Sequence, residues 1–115
     1  MTDIKTLTEK ITLFCDERNW AQFHNHKDMA LSLVLEASEV LEHFQWKSQD
    51  EVDVHVKTCK NEISEELADV AIYLFELADN LQIDLSDAIQ KKLEINAKKY
   101  PVERATGTHT KYNKL

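Results

Sequence analysis

Four carboxylates stand out for where they sit. Glu36 and Glu39 lie in LVLEASEVLEHF, and Glu66 and Asp69 in ISEELADVAIYL, each pair on the edge of an otherwise apolar run. A displacement of 30 residues superposes the two segments: Glu36 falls on Glu66, Glu39 on Asp69, Val40 on Val70 and Phe44 on Leu74. On a helix, residues three apart differ by about 4.5 Å of rise and about 60° of rotation, so each pair can face one point in space. If the two helices pack as neighbours, four anions converge. Four unpaired carboxylates repel one another and take up protons. A divalent cation removes that penalty, and an all-oxygen ligand set suits Mg²⁺, with Mn²⁺ as a substitute, far better than Zn²⁺. Glutamate is a good helix former and needs no function to sit beside an apolar stripe. What points to a site is the repetition of the pair. Glu42 and Glu65 point further round their helices, toward solvent.

A di-iron bundle is the natural rival for such acids, and it needs Glu-x-x-His on two helices. None of the five histidines has a glutamate three residues before it. No His/Cys set has zinc-site spacing either.

Aromatic and basic residues surround the acids in the sequence. Trp20, Phe23 and His24 precede the first acid pair and Trp46 follows it; Tyr73 shares a helix face with Glu66 and Asp69. A flat aromatic slot beside a metal cluster suits a base stacked next to its own phosphates. In INAKKYP, Asn96 and Lys99 also share a face. Positive charge at a helix C-terminus is favourable in itself, but it also suits phosphate oxygens. Lys111 and Tyr112, further on, are weaker candidates for the same work.

The chain that must position these groups is short, acidic and almost free of glycine. Its 115 residues fit one domain. A net charge of −7 excludes a nonspecific nucleic-acid surface, which needs a basic stripe. With one glycine, Gly107, there is no P-loop and no dinucleotide fingerprint. Cys15 and Cys59 form no CxxC pair and read as reduced thiols of an intracellular, cytoplasmic protein. No signal peptide or membrane span is expected, since no long uncharged apolar run occurs.

Helical periodicity accounts for nearly all of the chain. Ile4, Leu7, Ile11 and Phe14 predict a first helix from Asp3 to about Arg18. NWAQFHNHK breaks the pattern, and Asn25 with Asp28 resembles a capping box for a second helix over about Asp28–Trp46. Its principal stripe is Leu33, Ala37, Val40, Leu41 and Phe44, while Leu31 and Leu35 lie on another face. A helix apolar on two faces wants two partners, and the second reads as an oligomer contact. A third helix starts between Gln49 and Val56 and runs to about Asn80, with a break near Thr58–Asn61. Asp84, with Asp87 three residues on, caps a fourth that runs to about Lys99, where Pro101 stops it. The rest is a polar tail. No strand pattern survives, so the expected fold is all-α: a small bundle of four or five helices.

Taken together, RNWAQFH, LEASEVLEHFQWK, EELADVAIYL and INAKKYP resemble the MazG-like branch of the all-α nucleoside triphosphate pyrophosphohydrolases, and within it the compact dCTP pyrophosphatases. The likeness runs from about Ile11 to Pro101 and more faintly to Lys111 and Tyr112. It implies a helical pyrophosphohydrolase domain over residues 1–101, with 102–115 as its tail. It implies that Glu36, Glu39, Glu66 and Asp69 hold Mg²⁺ and that Trp20, His24, Trp46 and Tyr73 form or border a base pocket. Asn96, Lys99 and Lys111 are then near the triphosphate. The implied reaction takes a (deoxy)nucleoside triphosphate, dCTP or a modified pyrimidine dNTP, to the monophosphate and pyrophosphate. In it Glu39 orients the attacking water and Lys99 steadies the leaving group. The implied assembly is a homodimer, or a homotetramer of two dimers, with sites between subunits and no nucleic-acid or membrane partner. Two other readings compete: a non-catalytic interaction or nucleotide-binding module with the same fold, and a nucleotidase that releases single phosphates.

Overall fold

The computed structural model describes residues 3–115, and among them it is helical with no strand. Six α-helices follow one another: α1 (Ile4–Glu17), α2 (His26–Glu42), α3 (Gln49–Thr58), α4 (Lys60–Asn80), α5 (Leu85–Lys99) and α6 (Val102–Ala105). No described helix is long and apolar enough to cross a membrane.

Short polar side chains set most of the helix starts. Asp3 accepts the Thr6 N–H at 2.8 Å, Asn25 accepts that of Asp28 at 2.8 Å, and Asp84 accepts that of Asp87 at 3.1 Å. Each satisfies a donor that the first helical turn leaves open. Ser48 and Glu51 make a full capping box at the start of α3. The ends are set by left-handed residues that are not glycine. Asn19 (φ 54°) closes α1 and Gln82 (φ 59°) closes α4. After α1 the Trp20 N–H reaches back to the Cys15 carbonyl at 3.0 Å, and the Ile83 N–H does the same to Ala78 at 2.8 Å. These are Schellman closures.

Two compact units emerge, one ending at Ile83 and the other running Asp84–Leu115. In the first, α4 is the central element. The long helix α2 packs along it, and α1 and α3 rest on it as well. The buried apolar residues are few: Cys15 on α1, Met29 on α2 and Ala78 on α4. In the second unit, the chain after Pro101 folds back on the end of α5. Tyr112 sits edge-on to Tyr100 at 6.1 Å, and the Lys99 ammonium lies 4.7 Å from the Tyr112 ring centre.

One expectation needs correction. The second helix ends at Glu42 rather than Trp46, because Ser48 caps a new helix and the chain must turn to enter it. Tight bonds from His43 to Val40 (3.2 Å) and from Phe44 to Leu41 (2.9 Å) make that turn, and Trp46 completes it at φ 64°. The polar tail beyond Pro101 holds α6 and a 3₁₀ turn at Tyr112–Lys114.

Met29 is 1% exposed and is the largest fully buried side chain. Met29→Ala is expected to cost about 2–5 kcal/mol in urea unfolding, the range for emptying a closed core position.

Candidate active site

The packing of α2 along α4 gathers the repeated acids. Glu36 and Glu39 face Glu66 and Asp69 closely enough that all three neighbours act on the Glu36 carboxyl. Burial, first, pushes that group above the ordinary carboxylate range; the charge of Glu39 and a side-chain hydrogen bond to it, then the charges of Asp69 and Glu66, push the same way. Glu36 Oε2 is shut from water and has no hydrogen-bond partner. A buried carboxylate oxygen among like charges is costly unless a cation meets it. The donors are all oxygens, the ligand chemistry that a hard divalent ion such as Mg²⁺ prefers.

Histidines flank this cluster. His43 Nε2 stands 2.7 Å from Glu66 Oε2, off the direction of a true hydrogen bond, and its Nδ1 is hydrogen-bonded to His55 Nε2 at 2.8 Å. His55 comes from α3, so the short helix braces Glu66 through His43. Partners of this kind orient ligating carboxylates.

Beside the acids lies a cavity of about 610 Å³ between α1 and α4. Its walls include Ile11, Phe14, Trp20 and Ile72, and Asp69 and Tyr73 join it to the acid cluster. Phe14 and Trp20 meet edge-to-face at 5.6 Å. The Tyr73 phenol is pushed up by burial and then by the charges of Glu36, Glu76 and Asp69, which fixes it between the acids and the cavity.

Of the residues expected at a site, the first unit brings together Glu36, Glu39, Glu66, Asp69 and Tyr73, and it sets Trp20 and His24 on the cavity wall. Trp46 does not line the cavity; it is 92% exposed on the turn after α2. Asn96, Lys99 and Lys111 belong to the second unit.

Sequence reasoning missed His43, His55, Cys15 and Glu76 as neighbours of the site. His43 carried a signal, since it superposes on Tyr73 in the repeat. Glu76 carried one too, three residues beyond Tyr73 on the same helix face, but Cys15 carried none. They meet through the crossing of α1 with α4, where Sγ donates to Glu76 Oε1 at 3.4 Å. Burial and the Glu76 carboxylate push the Cys15 thiol up to about 11. At pH 8 about one Cys15 in a thousand is then thiolate, the reactive form. Iodoacetamide labelling followed by peptide mass mapping is expected to modify Cys59 well before Cys15. The Cys15 rate should rise about tenfold per pH unit until the pH nears its pKa.

The chain matches the model of the MazG-like family over residues 31–115. It is 40% identical over 104 residues to dCTP pyrophosphatase 1 of Mus musculus, a match that covers 89% of this chain and 61% of the mouse protein. The corresponding protein of Homo sapiens is 38% identical over 104 residues, covering 89% of this chain and 61% of its own. The chain thus spans about three-fifths of the length of these relatives. Among solved structures, a pyrophosphatase from Archaeoglobus fulgidus superposes with a TM-score of 0.81 at 38% identity, covering 88% of this chain and 94% of that one. With its all-helical architecture and paired acids already in place, the chain belongs to the MazG-like family.

Proposed function

We propose that the chain is a Mg²⁺-dependent nucleoside triphosphate pyrophosphohydrolase. It converts a (deoxy)nucleoside triphosphate, dCTP or a modified pyrimidine dNTP, to the monophosphate and pyrophosphate. The observation that carries the reading is the buried, partnerless Oε2 of Glu36, set among three further acids beside an aromatic-walled cavity. Similarity to proteins named dCTP pyrophosphatase 1 supports the substrate class. Two free cysteines suit a reducing, cytoplasmic compartment.

In this reading Glu36, Glu39, Glu66 and Asp69 hold Mg²⁺, or Mn²⁺ in its place. The bound ion would neutralise phosphate charge and make the α-phosphorus more electrophilic. Glu39 is exposed at the edge of the cluster, where a water can reach it. It orients that water and takes its proton as the water oxygen bonds to the α-phosphorus. The bond from that phosphorus to the bridging oxygen breaks, and the electron pair leaves with pyrophosphate. Lys99 steadies the charge on the leaving group, with Asn96 and Lys111 on other phosphate oxygens. Trp20, His24 and Tyr73 receive the base.

The same reading needs a second copy of the chain. Leu31, Val34, Leu35 and Leu41 of α2 are each more than half exposed, an apolar face that a lone chain leaves in water. Trp46 holds a left-handed backbone at a cost of about 1–2 kcal/mol and projects into solvent. A dimer, or a tetramer of two dimers, covers the α2 face and gives Trp46 a partner's base pocket to border.

Three experiments test these assignments. Incubation with the natural dNTPs and NTPs, resolved by anion exchange, should yield monophosphate and pyrophosphate, with activity lost in EDTA. Glu39→Gln should lower kcat by about 10² or more. A near-wild-type kcat in that variant removes Glu39 from the role. Orthophosphate as product makes the chain a phosphatase, and no turnover by folded protein points to a modified nucleotide substrate or to a binding module. Light scattering after size exclusion should find a dimer or tetramer that Leu35→Glu dissociates; a fully active monomer refutes the shared site.

A further inference from the structure

A second group of ligating side chains lies outside the acid quartet. Cys15 of α1, His24 in the segment before α2 and Glu76 of α4 offer a thiol, an imidazole nitrogen and a carboxylate within 4.8 Å of one another. Among the described residues this is the one trio gathered so closely. The Cys15 Sγ stands 3.4 Å from Glu76 Oε1, and His24 Nδ1 stands 3.5 Å from Glu76 Oε2. Around a tetrahedral zinc with bonds of about 2.0–2.3 Å, neighbouring ligand atoms are roughly 3.3–3.7 Å apart. The two contacts of Glu76, one at each of its oxygens, have that length, and the whole trio lies within 4.8 Å.

Without a cation these groups serve one another poorly. Glu76 is 8% exposed, and its Oε2 is shut from water without a hydrogen-bond partner. Among the described residues its one ion-pair contact is His24, at a distance too long for a good hydrogen bond. The Cys15 thiol, pushed up to about 11, loses that penalty when a positive ion sits beside it. Access exists from two sides. The trio lines the 610 Å³ cavity and also a smaller one of about 150 Å³. Asp16 and Asp79 line the smaller cavity too, and their charge favours the approach of a cation.

We propose that Cys15, His24 and Glu76 form a thiolate–imidazole–carboxylate site for a borderline-soft divalent transition metal such as Zn²⁺, distinct from the all-oxygen site of α2 and α4. Thiolate and imidazole select this class of ion over Mg²⁺. Three protein ligands leave the fourth position open toward the cavity. On coordination the Cys15 S–H bond breaks, its proton goes to solvent, and sulfur binds the metal. His24 is also claimed by the base pocket proposed above, so an occupied site competes with nucleotide there. The metal site itself does not rest on that reading, because it is tested with no nucleotide present.

The probe is Co²⁺. Reduced, metal-free protein in excess Mg²⁺ would be titrated with Co²⁺ and followed by absorption. One equivalent is expected to give a thiolate-to-cobalt charge-transfer band with tetrahedral d–d bands, all bleached by Zn²⁺. Cys15→Ser should abolish the charge-transfer band, Cys59→Ser should keep it, and Glu76→Gln should weaken affinity about tenfold or more. If Cys15→Ser loses its helical circular dichroism, His24→Ala replaces it and must weaken the band. Absence of the band in the wild type overturns the site, as does a band that survives in folded Cys15→Ser or keeps its full strength in folded His24→Ala.

Discussion

Like charges packed between two helices are the constraint on which the rest of the site depends. The contact of α2 with α4 takes Glu36 Oε2 out of water and sets Glu39, Asp69 and Glu66 around its carboxyl. Burial weakens the solvent screening that makes such crowding harmless on a surface. The structure answers with imidazole braces: His43 against Glu66, and His55 behind His43. Neither lysine nor arginine pairs with these acids among the described ion pairs. A fold that wanted only stability would place aliphatic side chains there, since a well-packed apolar core is no less stable than buried charge.

One helix carries most of this arrangement. Glu66, Asp69, Tyr73 and Glu76 follow one another along α4 at helical spacing, so the acid cluster grades into the cavity wall without a break. The other wall comes from α1, and Trp20 is folded onto Phe14 by the left-handed Asn19 that ends that helix. The core below is thin, with Cys15, Met29 and Ala78 its buried apolar members. Much apolar surface on α2 stays open, and a second copy of the chain is the occupant proposed for it.

Legibility from sequence tracked the range of the interaction. Asp3, Asn25 and Asp84 act on backbone groups three residues away; Asn25 and Asp84 were readable as caps, while Asp3 reads as lying inside its helix. The acid pairs were readable for the same reason: a spacing of three on a helix is local geometry. The early end of α2 was missed, because apolar residues through Phe44 and Trp46 continue the helical pattern, although Ser48 with Glu51 already signals a new helix start. The turn that breaks it serves the docking of α3 on α4.

By itself the sequence determined the helical class, the separate face of Leu31 and Leu35 on α2 and the shared face within each acid pair, though it put the exposed Leu41 with the principal stripe. All of these follow from periodicity and from side chains acting on nearby backbone. Only the tertiary structure decided which helices are neighbours, and so whether the two acid pairs meet, whether His43 and His55 stand behind them, and whether Cys15 touches Glu76 across 61 residues. Such meetings are set by which apolar surfaces bury each other, a property of the whole chain that no window of sequence contains.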